Sequence, residues 1–204
     1  MDFAGEFETH LALAHVDADV LTNCAARHSL KCTAIVLDRG ANPSQPMLTR
    51  RGTGTLASEI RRAHELRDAL EMEGFQVVRV KIEANPTNAG VPRTDEQALA
   101  DPTFRCFEHH VKLLLEHDAD LNNLIAIAER HSARLSRNAF RSRDDGRQER
   151  FVTQRCHGVG LPRASARLQA LVDDLGARHC ILDVEEEYVV YDSNADLDAG
   201  WLEE

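Results

Sequence analysis

Apolar and polar residues alternate along two short stretches about a hundred positions apart, FETHLAL at 7–13 and FEHHVKL at 107–113. In the first, Phe7, Leu11 and Leu13 fall on one face and Glu8 and His10 on the other, the period of two that predicts a strand with one buried face. DADVLTNCAARH predicts a short helix, capped by Asp17 or Asp19, with Val20, Leu21, Cys24 and Ala25 on its inner side. LKCTAIVLD predicts a mainly apolar strand, GANPSQP a loop and PMLTRR a third strand. A long helix is predicted in TLASEIRRAHELRDALEMEG, which opens at Thr55, repeats Leu56, Ile60, Ala63, Leu66 and Leu70 on one stripe and stops at Gly74. FQVVRVKIE closes the unit as a strand, with Val78, Val80 and Ile82 turned inward.

The same order recurs from Phe107 to about Asp192, with Pro162 near the start of the second long helix and Gly176 at its end. Motifs align across the copies: ARHS at 26–29 with ERHS at 129–132, LTRRGTG at 48–54 with VTQRCHG at 152–158, and VKIEA with VEEEY. The chain therefore reads as an internal duplication. Each copy has the order β-α-β-β-α-β, which predicts an α+β protein of two ferredoxin-like halves related by a pseudo-two-fold, with the first and third strands of each half adjacent. The expected boundaries are residues 1–88 for the first repeat, 89–103 for a Pro-rich linker, 104–194 for the second repeat and 195–204 for a tail whose Trp201 fills a gap between the halves.

Composition narrows the class. With 204 residues, 43% apolar and 28% charged, the chain is long enough for one large core or two small ones. Five scattered cysteines with no paired spacing read as reduced thiols, and neither a signal peptide nor a membrane span is apparent, so a cytoplasmic location is expected. A net charge of −10 argues against general nucleic-acid binding. The charge is uneven: ten arginines stand against Asp144, Asp145 and Glu149 between Arg130 and Arg167, whereas eleven acids stand against Arg178 alone from 168 onward.

Alternation places Glu8 and His10, and likewise Glu108, His110 and Lys112, on the sheet face that helices leave open. Beside them the third strands would bring Thr49 with Arg51 and Thr153 with Arg155, and the last strands would add Arg79, Lys81 and Glu83, or Asp183, Glu185 and Glu187. This patch suits an anionic small molecule in a cleft between the repeats. His10 and His110 are the candidate acid and base, and Arg51, Arg137, Arg155, Lys112, Thr49 and Thr153 the candidate anion binders. Alternatively, Glu8 and Glu108 with the two histidines would hold a divalent metal. The competing expectation is a non-catalytic module in which the same faces bind a ligand or partner or form a structural interface. Cys156 beside His157 does not read as a nucleophile pair, because neighbours on a strand point to opposite faces.

FEHHVKL, RHSARLSRNAFR, ERFVTQRC and EYVVYDSN resemble a group of bacterial proteins with duplicated F-E-x-H strands, a resemblance that implies no activity. His10 and His110 are similar in placement to the two histidines of the 2H phosphoesterases, with Ala12 and Lys112 where that family has hydroxyls. Glu108, His110 and Lys112 resemble the Glu-x-Glu-x-Lys strand of the CYTH triphosphate-tunnel enzymes, with His for the middle acid. These two likenesses imply hydrolysis or binding of a phosphorylated or nucleotide-like substrate.

Overall fold

A computed structural model describes residues 2–140 and 144–202. The first copy runs β1 (Ala4–Leu13), α1 (Ala18–His28), β2 (Lys31–Leu37), β3 (Ser44–Thr55), α2 (Leu56–Met72) and β4 (Val77–Ala84). After a short helix α3 (Asp95–Leu99), the second copy runs β5 (Cys106–Leu115), α4 (Leu121–Arg130), β6 (Ala133–Asn138), β7 (Gln148–His157), α5 (Leu161–Gly176) and β8 (Cys180–Asp192). The protein is an α+β duplication of two ferredoxin-like halves, with β1 beside β3 and β5 beside β7 at the centre of each.

The two open sheets do not face each other across a cleft. Their edges join instead, β2 to β6 and β4 to β8, and the eight strands close into one antiparallel barrel in the order β1-β3-β2-β6-β7-β5-β8-β4. Closure satisfies the backbone edges that two separate four-stranded sheets would have left exposed. Helices pack on the outside. The apolar stripe of α2 and the inner faces of β1 and β4 form one core around Phe7, Leu11, Leu70, Val80 and Ile82. Phe107, Tyr188 and Val190 of the second copy join that core. A second core gathers Val111, Leu113, Leu124, Ile127, Leu171 and Leu175.

Local signals explain the elements. Thr55 caps α2 by accepting from the Ser58 amide while the Ser58 hydroxyl accepts from the Thr55 amide, a reciprocal cap that fixes where β3 turns into the helix. Val20, expected on the inner side of α1, is 46% exposed; only Leu21, Cys24 and Ala25 bury, so the stripe is narrower than expected. Within 89–103, Thr94 and Gln97 cap α3, and Val91 is buried in the first core. The tail returns along the barrel: Trp201 is buried, its indole Nε1 donating to the Leu135 carbonyl at 3.2 Å and its own carbonyl accepting from Arg39. No helix among the described residues is long and apolar enough to cross a membrane.

Candidate functional site

Because helices cover the outer face, the polar alternation of every central strand is turned into the barrel lumen. Register brings the predicted residues side by side. Opposite His10 stand Thr49 on β3 and Lys81 on β4; opposite Glu8 stand Arg51 and Glu83. In the second copy His110 lies opposite Thr153 and Glu185, and Glu108 opposite Arg155 and Glu187. The lumen holds a cavity of about 150 Å³ whose walls include both histidines, both threonines, Glu8, Glu83, Glu108, Glu187, Lys81 and Arg155.

Each histidine is aimed in the same way. His10 Nδ1 is 2.9 Å from Thr49 Oγ1 and His110 Nδ1 is 3.0 Å from Thr153 Oγ1, which leaves both Nε2 atoms facing carboxylates. Here the copies diverge. His10 Nε2 lies 2.6 Å from Glu83, whereas His110 Nε2 lies 3.2 Å from Glu108, the acid two residues before it on its own strand. Glu187, which aligns with Glu83 in the duplication, makes no hydrogen bond or ion pair among the described residues.

Lys81 causes part of this asymmetry, since the second copy has Glu185 in its place. Lys81 Nζ sits 2.8 Å from Glu108 and 2.7 Å from Glu83, the latter a contact of charge without hydrogen-bond alignment. Arg155 donates to Glu108 at 2.5 Å and to Asp198 at 2.6 Å, and Arg79 donates to Asp192 and Asp198. Burial alone would raise the carboxyl of Glu83, but Lys81 and His10 hold it well below the usual carboxylate range. Burial would likewise raise Glu108, and Arg155 and Lys81 reverse it. For Glu187, burial and then the charges of Glu83 and Glu8 all act in one direction and push it well above that range. Two equivalent carboxylates in one lumen thus favour opposite protonation states.

The predicted site residues fall into three groups. His10, His110, Thr49, Thr153, Glu8, Glu108 and Arg155 line the cavity, and Arg51 stands in an adjoining pocket of about 500 Å³ among Glu6, Glu8, Glu185, Glu186 and Glu187. Lys112 shares the parity of His110 but is held at 2.8 Å by Glu149 beside Phe151. Arg137 is exposed: it has the parity of Leu135, which packs in the second core, so it points away from the lumen that Ser136 faces. It is not part of an anion site there. Arg51, Arg155 and Lys112 are each already paired with a carboxylate.

Three groups of donors lie close enough for a metal: His10, Glu83 and Glu187; Glu83, Glu108 and His110; and, outside the barrel, Cys24, His28 and Glu73. Glu108 therefore falls in a metal-like group, while Glu8, 3.7 Å from His10, falls in none. The acids that sequence reasoning did not select are Glu83, Glu187 and Asp198. The strand alternation already placed the first two on the right face; the third comes from a polar tail that carries no periodic signal.

No family model matches the sequence, and no curated protein matches it. Among solved structures, the acetolactate synthase small subunit of Thermotoga maritima aligns over 91% of this chain and 94% of its own, at 11% identity and a TM-score of 0.32. A chlorite dismutase variant from Candidatus Nitrospira defluvii aligns over 96% and 93%, at 11% identity and a TM-score of 0.30.

Proposed function

We propose that the barrel lumen is the binding site for a small polar molecule, neutral or positively charged, and that His10 and His110 are the groups that exchange protons with it. The observation that carries this reading is the pair of imidazoles aimed by Thr49 and Thr153 into one shared cavity. Its volume of about 150 Å³ lies below the ~300–1,000 Å³ of sites for drug-sized ligands and favours a ligand of few heavy atoms over a nucleotide. The electrostatics weigh against phosphate, because Arg51, Arg79, Lys81 and Arg155 already have carboxylate counter-ions. An anion would have to displace them.

One observation favours a second, non-catalytic reading. Arg79 with Asp192 and Lys81 with Glu108 are ion pairs between the copies, so the polar lumen also fastens the halves together.

A thermal-shift comparison separates the readings, using methylamine, ethanolamine, inorganic phosphate and triphosphate against the wild type and the His10→Ala, His110→Ala double variant. The proposed function predicts stabilisation by an amine that is lost in the variant. Stabilisation by phosphate or triphosphate that Arg155→Ala abolishes would overturn the preference for positive charge. Flat responses to all four, with the double variant changing only stability, would favour the fastening role.

A further inference from the structure

We infer that the lumen binds one divalent transition-metal ion through Nε2 of His10 and the carboxylates of Glu83 and Glu187. This deepens the preceding reading and rests on it for the lumen's accessibility and preference for positive charge. The three donor atoms all lie within 4.8 Å of one another. A metal with ligand distances of about 2.0–2.2 Å would draw them together by small side-chain movements.

Three further features point to a ligand. Thr49 Oγ1, 2.9 Å from Nδ1, fixes the ring of His10 in the way outer-shell partners orient metal-binding imidazoles, leaving Nε2 for the ion. Glu187 faces the cavity with no partner among the described residues, although it is half-buried. An adjoining pocket that shares Glu8, Glu185 and Glu187 with the cavity also carries Glu6 and has Arg51 as its one arginine, a field that concentrates cations there.

The other two donor groups are weaker candidates for reasons visible in their contacts. In the group containing His110 both carboxylates, Glu83 and Glu108, already touch Lys81 Nζ and Glu108 is also paired with Arg155, whereas in the proposed group only Glu83 touches a cation. In the outer group, Glu73 is taken up by Arg27 and His28, and Cys24 is buried in the first core. One imidazole and two carboxylates suit Mn2+, Fe2+, Co2+ or Zn2+ better than a soft ion such as Cu+. Three protein ligands would leave a position for water or a small molecule from the cavity. Binding replaces the hydrogen bond between His10 and Glu83 and needs no redox partner.

The test is titration of the chelator-treated protein with Co2+, followed by visible absorption, and with Mn2+, followed by electron paramagnetic resonance. The wild type should take up one ion, and Glu187→Gln should bind it at least about tenfold more weakly with an unchanged circular dichroism spectrum. His10→Ala, at a half-buried position, provides a second variant with the same expected loss. No uptake by the wild type at about 1 mM metal, or equal affinity in both variants, would overturn the inference. Amine binding without metal uptake would sink the metal site and leave the proposed function standing. Absence of both would remove the two together.

Discussion

Glu83 and Glu187 occupy equivalent positions in the two copies and face one lumen, yet Glu83 is bonded to His10 at 2.6 Å and Glu187 has no partner among the described residues. Part of the difference traces to Lys81, which lies between Glu83 and Glu108 and has Glu185 as its counterpart. Removing that one cation leaves two almost fully buried carboxylates facing each other. Lys81→Met should therefore destabilise the protein by about 3–5 kcal/mol. Glu187→Gln removes no partner and should stay within about 0.5–1 kcal/mol of wild type. Urea unfolding of both variants at neutral pH checks the pair, and similar losses in the two would contradict this account of the asymmetry.

The buried histidine of β5, His109, makes a pH prediction. His109 points outward from β5 into the interior beneath α5, 2.9 Å from Gln154 on β7 and 3.2 Å from Glu186 on β8, which also accepts from Ser165. Burial on its own would lower its pKa, but hydrogen bonds with Cys156, Glu186 and Gln154 more than reverse this and raise it to about 9. A folded-state value above the unfolded one of about 6.5 gives stability that is complete below pH 6.5 and lost as pH rises through about 9. The loss should be on the order of 2–3 kcal/mol. Unfolding free energies measured from pH 6 to 9.5 should show that decline in the wild type and a flatter profile in His109→Gln. A parallel decline in both would assign the effect elsewhere.

The recurring R-H-S motif has a structural meaning, testable separately from the lumen. Arg27 and His28 grip Glu73, and Arg130 and His131 grip Asp174, so each copy ties the end of its short helix to its long one. The serines that follow, Ser29 and Ser132, have φ of 55° and 52°, the left-handed region that favours glycine. Ser29→Gly and Ser132→Gly should each raise stability by about 0.5–1 kcal/mol, read as a higher thermal midpoint. A fall in midpoint would mean that the serine side chains matter more than their backbone.

Much of this architecture was legible because period-two alternation carries two facts at once, that a segment is a strand and which residues share its faces. Glu8, His10, Thr49 and Arg51 could be grouped from sequence, as could their counterparts in the second copy, since β1 beside β3 follows from handedness alone. Closure was not legible. Whether two half-sheets stack, separate or join edges depends on three residue pairs between β2 and β6 and a short ladder between β4 and β8, and neither has a sequence pattern of its own. Arg137 was misplaced for a related reason: an arginine-rich stretch says nothing about parity until its strand is in register. Glu83 stood on the right face, and only the contact with His10 distinguishes it from any other strand acid.

Closure has a consequence for how the duplicated chain unfolds. Two copies of one unit, had they been independent, would melt separately. Here Phe107, Tyr188 and Val190 of the second copy are buried in the core of the first, with the Tyr188 ring tilted against those of Phe107 and Phe3 at centroid distances of 4.7 and 6.1 Å. The barrel edges are also shared, so losing one half exposes both edges of the other. A single cooperative transition is therefore expected. Phe107→Ala should lower its midpoint by the equivalent of about 3–5 kcal/mol, and Leu21→Ala, in the first copy, should shift the same transition by about 2–5 kcal/mol. Trp201, the sole tryptophan, is buried against Leu135 and reports on the junction. Its fluorescence and far-ultraviolet circular dichroism should change together in urea, in the wild type and both variants. Two resolved transitions, each moved by only one variant, would show that the halves hold their folds alone and that the barrel is a docking of finished domains.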